Sequence, residues 1–414
     1  MPQHQSITNK KKIINDPVYG FISIPDDFVF DLIEHPYFQR LRRIKQLGLT
    51  HLVYPGALHT RFHHVIGAMH LMSLAIATLR RKGHEITLEE EQGVLVAILL
   101  HDIGHGPFSH ALEHSIVDKV SHEEISSFFI ERLSKEFGGK LDLALLIFQN
   151  KYTSKPFLHQ LVSSQLDMDR LDYLNRDSFY TGVSEGVISS SRIIEMLNVF
   201  EGNLVMEEKG VYSIEKFLVA RRLMYWQVYM HKTVVVAEDM LIQILRRAKF
   251  LSQRGEKLFA SPALSYFLEH TVTGSDFKEN PTILDRFALL DDDDVNCAIK
   301  VWASHSDKVL SFLSERLMNR KLSKIEISKE PFSNDRIAFE QEMAASLLGI
   351  TVEEASYFVT TQTLTNNAYN QSKQNINLLC KNNVILDVSM AADNLNLSAL
   401  ASPVEKFCLC FPVR

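Results

Sequence analysis

The stretch Leu99-Leu100-His101-Asp102-Ile103-Gly104-His105-Gly106 sets an imidazole and a carboxylate side by side at the end of an apolar run. An ionised carboxylate taken out of water destabilises a fold by several kcal/mol unless a cation or dense hydrogen bonding compensates it, and a divalent metal is the simplest compensator. The segment from Glu91 to Leu100, apolar throughout from Val94, is too long for a comfortable strand and too short to cross a bilayer, which predicts a buried helix. Gly104, Gly106 and Pro107 end that helix, because glycine lacks a Cβ and proline a backbone donor. The pair thus falls at a helix end inside the protein. Taken alone, it is also consistent with a satisfied core histidine followed by a local cap.

The flanking sequence argues for a larger cluster. Upstream, Thr60-Arg61-Phe62-His63-His64-Val65-Ile66-Gly67 continues apolar through Leu74, so His64 projects from the inward face of a neighbouring helix. Downstream, Leu166, Leu171 and Leu174 alternate with Asp167, Asp169, Asp172 and Asp177, spacings that gather carboxylates near one helix face. Imidazoles mixed with carboxylates suit Mn, Fe, Zn, Ni or Co better than calcium, and ligand type does not choose among them.

With these blocks in order, the chain resembles the HD-domain phosphohydrolases, in particular the dGTPase-like branch of deoxynucleoside triphosphate triphosphohydrolases. Asn15-Asp16-Pro17 with Gly20, Phe38 to Gly48, Tyr54 to His64, and His101-Asp102 through His110 carry the resemblance. Asp167 to Asp177 and Tyr229-Met230-His231-Lys232 extend it over roughly the first 240 residues. The resemblance implies a mainly α fold, an HD-domain helical body with short β-hairpins. It implies a divalent transition metal held by His64, His101, Asp102 and Asp169, with magnesium accompanying the substrate. Asp102, His105, His110 and His122 are its catalytic residues: His122 donates a proton at the scissile phosphate, while His105 and His110 contact phosphate or orient water. Arg61, Arg170, Arg221 and Lys232 match phosphate contacts, and Arg170 replaces a lysine found in the vertebrate branch, keeping the charge with a different hydrogen-bond geometry. Tyr173 matches a ring that stacks on deoxyribose, Asp177 an acid that reads its 3′-hydroxyl, and Gln46, Leu47 and Tyr229 line the substrate. Lys12, Asn15, Gln39 and Arg42 match a regulatory nucleotide site between subunits of a dimer or tetramer. Glu34 stands there in place of an aspartate that reads guanine, one methylene too long for the same hydrogen bond.

Several of these residues carry a second reading. Ser121 with Glu124 reads as a capping box that would leave His122 exposed in a first turn. The cluster Arg40-Leu41-Arg42-Arg43-Ile44-Lys45 reads equally as a phosphate-holding group and as a solvated helix face. Asp291 to Asp294 reads as the N-terminal cap of a helix before Val295 rather than a cation site.

Composition places the chain among soluble enzymes: 414 residues, 46% hydrophobic and 23% charged, enough to bury a large core. A net charge of −6 without a long basic block disfavours nucleic acid as the primary partner. No apolar run reaches membrane length and no signal-peptide core follows Met1, so no membrane partner and a cytoplasmic address are expected. Cys297, Cys380, Cys408 and Cys410 are scattered, as free thiols are. Periodicity predicts helices near 28–46, 63–82, 89–103, 121–137, 158–177, 214–231 and 233–253, a short strand at Phe21 to Pro25, and a hairpin of Asn203 to Met206 with Gly210 to Tyr212. A helical body over 1–330, its HD segment at about 48–190, is expected to precede a small α+β region over 331–414, with 366–383 a loop. The function expected is metal-dependent hydrolysis of deoxynucleoside triphosphates to deoxynucleoside and triphosphate. Hydrolysis of another nucleotide, a monophosphate or signalling nucleotide, and a non-catalytic nucleotide sensor are the alternatives.

Overall fold

The computed structural model describes residues 12–108, 115–117, 120–366, 369, 375–391 and 404–413. It opens with an antiparallel hairpin of β1 (Ile13–Asp16) and β2 (Gly20–Ser23). Asp16 Oδ1 closes the turn by accepting from the Val18 and Tyr19 amides at 2.9 Å each, and Gly20 takes the left-handed conformation (φ +75°) the return requires. Helix α1 (Asp27–Glu34) follows, capped by Asp26. The single helix expected over 28–46 does not form: His35 is extended (φ −63°, ψ 138°), as the residue before Pro36 must be. A turn at Pro36–Gln39 and a 3-10 turn at Arg40–Arg43 come next, and Lys45 bridges Thr60.

The core is built around α2 (Arg61–Arg81), which packs against α3 (Leu88–Leu100) and, beyond α4 (His122–Glu136) and α5 (Pro156–Val162), against α6 (Met168–Thr181). Among the described residues α2 is long and apolar enough to cross a bilayer, contrary to expectation, but most of it is buried in this protein core. Every residue of α3 from Gly93 onward is buried, as its unbroken apolar run demands. The helix expected over 158–177 is two helices. Asp167 caps the second, accepting from the Ser164 and Arg170 amides at 2.7 Å each, and that local satisfaction stabilises the break.

The hairpin lies upstream of its expected place: β3 (Leu197–Phe200) and β4 (Asn203–Glu207) turn at Glu201 and Gly202, both at positive φ, the two-residue turn that matches strand twist. The expected second strand at Gly210 instead leads into helix α7 (Val211–Met224), followed by a π-helical turn over Tyr225–Tyr229 and by α8 (Lys232–Gln253). The acid run caps α9 (Asp292–Trp302), with Asp291 and Asp294 bonding each other's amides. Beyond it come β5 (Lys324–Ser328), α10 (Asn334–Leu348), β6 (Thr360–Asn366), β7 (Asn377–Leu379), β8 (Ile385–Asp387) and β9 (Val404–Phe411). The expected 366–383 loop thus carries β7, which pairs parallel with β4 in a β3-β4-β7-β8 sheet. The β5-β9-β6 sheet draws one strand from before residue 330 and two from after it. The molecule is mainly α, with one large apolar cluster reaching from Ile22 to Cys410.

Candidate metal centre and active site

Three elements bring four side chains to one point. His64 lies on the first turn of α2, His101 and Asp102 at the end of α3, and Asp169 on the first turn of α6. His64 Nε2 is 3.1 Å from Asp169 Oδ1, 3.4 Å from His101 Nε2 and 3.8 Å from Asp102 Oδ2. His101 Nε2 is 3.4 Å from Asp102 Oδ1 and 3.6 Å from Asp169 Oδ1. The opposite ring nitrogens are engaged away from this point: His64 Nδ1 with Asp172 Oδ2 at 2.7 Å, and His101 Nδ1 with the Ile98 carbonyl at 2.6 Å. Both partners are acceptors, so each Nδ1 carries the proton and each Nε2 lone pair faces inward, the arrangement a metal requires.

The electrostatics fit a cation. Burial opposes charge on both imidazoles, but hydrogen bonds to Asp169 and Asp172 lift His64 to about 10, and the Asp102 and Asp169 carboxylates raise His101. Burial likewise opposes ionisation of Asp169, yet its bonds to His101 and His64 hold it well below the usual carboxylate range. A divalent ion at this point satisfies the same carboxylates in place of those protons. The donor set of two imidazoles and the Asp169 carboxylate therefore fits a divalent transition metal, with Asp102 alongside and itself grouped with His105 and His122.

A second group adjoins the first through Asp102, whose carboxylate also pairs with the buried Arg61 and lies 3.3 Å from His105 Nε2. The Ser121 cap on Glu124 forms, but His122 is half-buried and its ring stacks on His105, centroids 3.8 Å apart and 18° from parallel. Gly104 permits this approach: a Cβ there would fall 2.2 Å from the His122 carbonyl. Ser126 adds to it, accepting from Gly104 N at 2.9 Å and donating to the His101 carbonyl at 2.7 Å. Burial and the nearby Arg61 push His105 well below its usual value, so it stands neutral. His110 lies outside the described residues.

A polar and aromatic wall continues from Asp169. Arg170 pairs with Asp167, and Arg221 donates to Gln165 Oε1 at 3.2 Å. Tyr173 is surrounded by Tyr225, Arg221 and Arg170, with its ring edge-on to Tyr229 at 6.1 Å. Asp177, which looks like a solvated helix acid in sequence, is buried and held from both sides: Tyr229 Oη donates to Oδ2 and His59 Nε2 meets Oδ1, each at 2.8 Å. Gln46 lies alongside through its amide bond to the His59 carbonyl, and its buried Oε1 has no partner among the described residues. Leu47 packs on the core and Lys232 is exposed at the start of α8. The five residues matched to a regulatory site lie apart from this wall. Lys12 sits 3.2 Å over the Phe30 ring, Asn15 and Glu34 are exposed, Gln39 Oε1 accepts from Arg42 at 2.9 Å, and the Arg42 guanidinium covers Phe62 at 3.5 Å.

Sequence reasoning passed over His59, Tyr225 and Gln165, and left Asp172 and Arg176 without roles. The available signal for the last two was position: Asp169, Asp172, Tyr173 and Arg176 recur at i, i+3, i+4 and i+7, one helix face made polar where an apolar stripe is the rule. Arg40 was read as a phosphate ligand or a solvated residue and is neither. It is fully buried and donates to the Ile103, His105 and Leu290 carbonyls, fastening the His105 loop to the residue before the α9 cap, and burial lowers it to about 9.

Comparison with known proteins agrees with this geometry. The HD domain family model matches residues 61–177, bounding all four converging side chains, and the HD associated region matches 188–256. The chain is 35% identical over 321 residues to the uncharacterized protein YwfO of Bacillus subtilis, spanning 76% of this chain and 71% of that one. It is 33% identical over 262 residues to the deoxynucleoside triphosphate triphosphohydrolase SAMHD1 homolog of Dictyostelium discoideum, 59% of this chain but only 50% of that protein. A solved phosphohydrolase from Bacteroides thetaiotaomicron superposes with a TM-score of 0.94 at 54% identity, covering 98% of this chain and 100% of that one. A histidine and aspartate cluster positioned by α2, α3 and α6, inside a body shared along its whole length with that structure, makes this chain a member of the HD-domain phosphohydrolase family.

Proposed function

We propose that this phosphohydrolase acts on deoxynucleoside triphosphates, breaking the bond between the α-phosphorus and the 5′-oxygen. Water adds its oxygen to phosphorus and a proton goes to the 5′-oxygen, giving deoxynucleoside and triphosphate. The observation that carries the reading is the succession of three groups along one wall: the metal cluster at His64, His101, Asp102 and Asp169, the His105–His122 stack, and the Arg170, Arg221, Tyr173, Asp177 surface. The similarity to a named deoxynucleoside triphosphate triphosphohydrolase over half of its length supports the substrate class.

A divalent ion at the cluster supplies Lewis-acid polarisation of a phosphoryl oxygen and a more acidic water. Arg61, Arg170 and Arg221 offset phosphate charge, while Tyr173 offers a ring face to the sugar and Asp177 an acceptor to its hydroxyl. His105, held neutral, orients water or phosphate through its ring nitrogens, which leaves His122 to deliver the proton to the departing oxygen. Lys12, Asn15, Glu34, Gln39 and Arg42 form a second nucleotide-responsive surface in a homo-oligomer. Solution mass and hydrolysis rate measured with GTP or a second dNTP test that part, and indifference of both removes it. The central experiment is a product-resolved screen of dNTPs, monophosphates and signalling nucleotides with Mn2+, Fe2+, Zn2+, Ni2+ and Co2+. Release of triphosphate from dNTPs is expected; release of monophosphate or orthophosphate, or turnover confined to another nucleotide, overturns the reading.

A further inference from the structure

Behind the metal cluster a line of buried charges leads to the N-terminal hairpin. Asp172 Oδ2 meets His64 Nδ1 at 2.7 Å, and the same carboxylate takes two bonds from Arg176, Nε to Oδ2 at 2.9 Å and Nη2 to Oδ1 at 3.0 Å. The remaining guanidinium nitrogen, Nη1, donates to Asp16 Oδ2 at 2.7 Å. His64, Asp172 and Arg176 are fully enclosed and Asp16 is nearly so. Gly67, one turn after His64, makes room for the pair: a Cβ there would fall 2.1 Å from both Arg176 Nη2 and Asp172 Oδ1. Asp16 divides its two oxygens, Oδ1 closing the β1–β2 turn and Oδ2 holding Arg176. The turn of the β1–β2 hairpin is therefore the far end of the chain of contacts that orients a metal ligand.

We propose that Asp16 and Arg176 are positioning residues of the metal centre, so that the docking of the β1–β2 hairpin sets how tightly His64 and its partners hold the metal. The inference rests on the metal-site reading above. Outer partners of a ligating histidine typically change metal affinity by about 10- to 100-fold, because they fix its tautomer and ring orientation. By linkage, metal binding must then stabilise the hairpin in return. The test is Mn2+ affinity by chelator competition for wild type, Asp16→Asn and Arg176→Lys, with Arg247→Lys as control. Arg247 also forms a largely buried pair, with Asp307, remote in sequence from the cluster. Asp16→Asn and Arg176→Lys should weaken Mn2+ binding by about 10-fold or more, while Arg247→Lys lowers thermal stability with affinity unchanged. Because the variants are at risk of misfolding, hydrogen exchange of the wild-type hairpin amides is followed with and without Mn2+, and slower exchange over 13–23 is expected with it. Wild-type affinity in folded Asp16→Asn, or hairpin exchange indifferent to Mn2+ in a wild type that binds it, overturns the proposal alone. A wild type that binds no divalent metal overturns the metal-site reading with it.

Discussion

At the scale of single residues, Asp102 is shared between the metal cluster, Arg61 and His105. Asp102→Ala should lose metal content and hydrolysis together while the protein still melts cooperatively; full hydrolysis by the folded variant would remove the metal assignment. His122 tests a different step. His122→Ala should lower kcat by about 10²- to 10⁴-fold with Mn2+ still bound, since general acid catalysis contributes in that range. An effect on KM alone would make His122 a binding residue. Asp102 stood out in the sequence because a carboxylate is costly to bury, whereas His122 was singled out only through the family resemblance. His59 was not legible there, because its value lies in the partner it holds, Asp177, 118 positions away in the chain.

Among elements, α2 shows how close packing overrides propensity. Alanine is favoured over glycine in a helix interior by about 1 kcal/mol, yet Gly67→Ala places a methyl group on the Asp172–Arg176 pair. The substitution should lower the melting temperature rather than raise it, by an amount consistent with breaking a buried ion pair, about 3–5 kcal/mol. The start of α9 carries a pH signature. Asp292 accepts from the Lys45 and Phe108 amides at 3.0 Å each, but burial outweighs these bonds and lifts it to about 6. Its folded-state pKa thus exceeds the unfolded value of about 3.9, so the folded state binds the extra proton. Its contribution is present below about 3.9 and is lost as pH rises through about 6. The stability difference between wild type and Asp292→Asn, measured by denaturant unfolding across that window, should shift towards the variant as pH rises; a difference constant with pH contradicts it. Element ends were misread where a local side chain decided the break: Pro36 after α1, and Asp167 between α5 and α6.

For the whole molecule, the two small sheets tie the chain's last third to its body. The parallel pairing of β7 with β4, and the antiparallel pairing of β9 with β5, place Leu378, Val388 and Cys410 in the same apolar cluster as Leu99 and Leu171. A chain ending at residue 330 leaves β5 without partners and uncovers the edge of β4, exposing backbone groups and apolar surface together. Such a chain should show lower soluble yield and a lower melting temperature than the full chain. Equal thermal stability would mean that the C-terminal part folds independently.

The sequence alone determined the buried helix that ends in His101-Asp102, the inward His64, the acid-rich face of α6 and the mainly α class, since each rests on local periodicity and on the cost of burying charge. Only the tertiary structure decided what those groups touch. The line from Asp16 through Arg176 and Asp172 to His64 joins positions 160 and 108 residues apart. The carbonyls fastened by Arg40 lie up to 250 residues away from it. Whether a buried arginine binds phosphate or holds a loop depends on which acceptors surround it, and folding places those acceptors from distant parts of the chain.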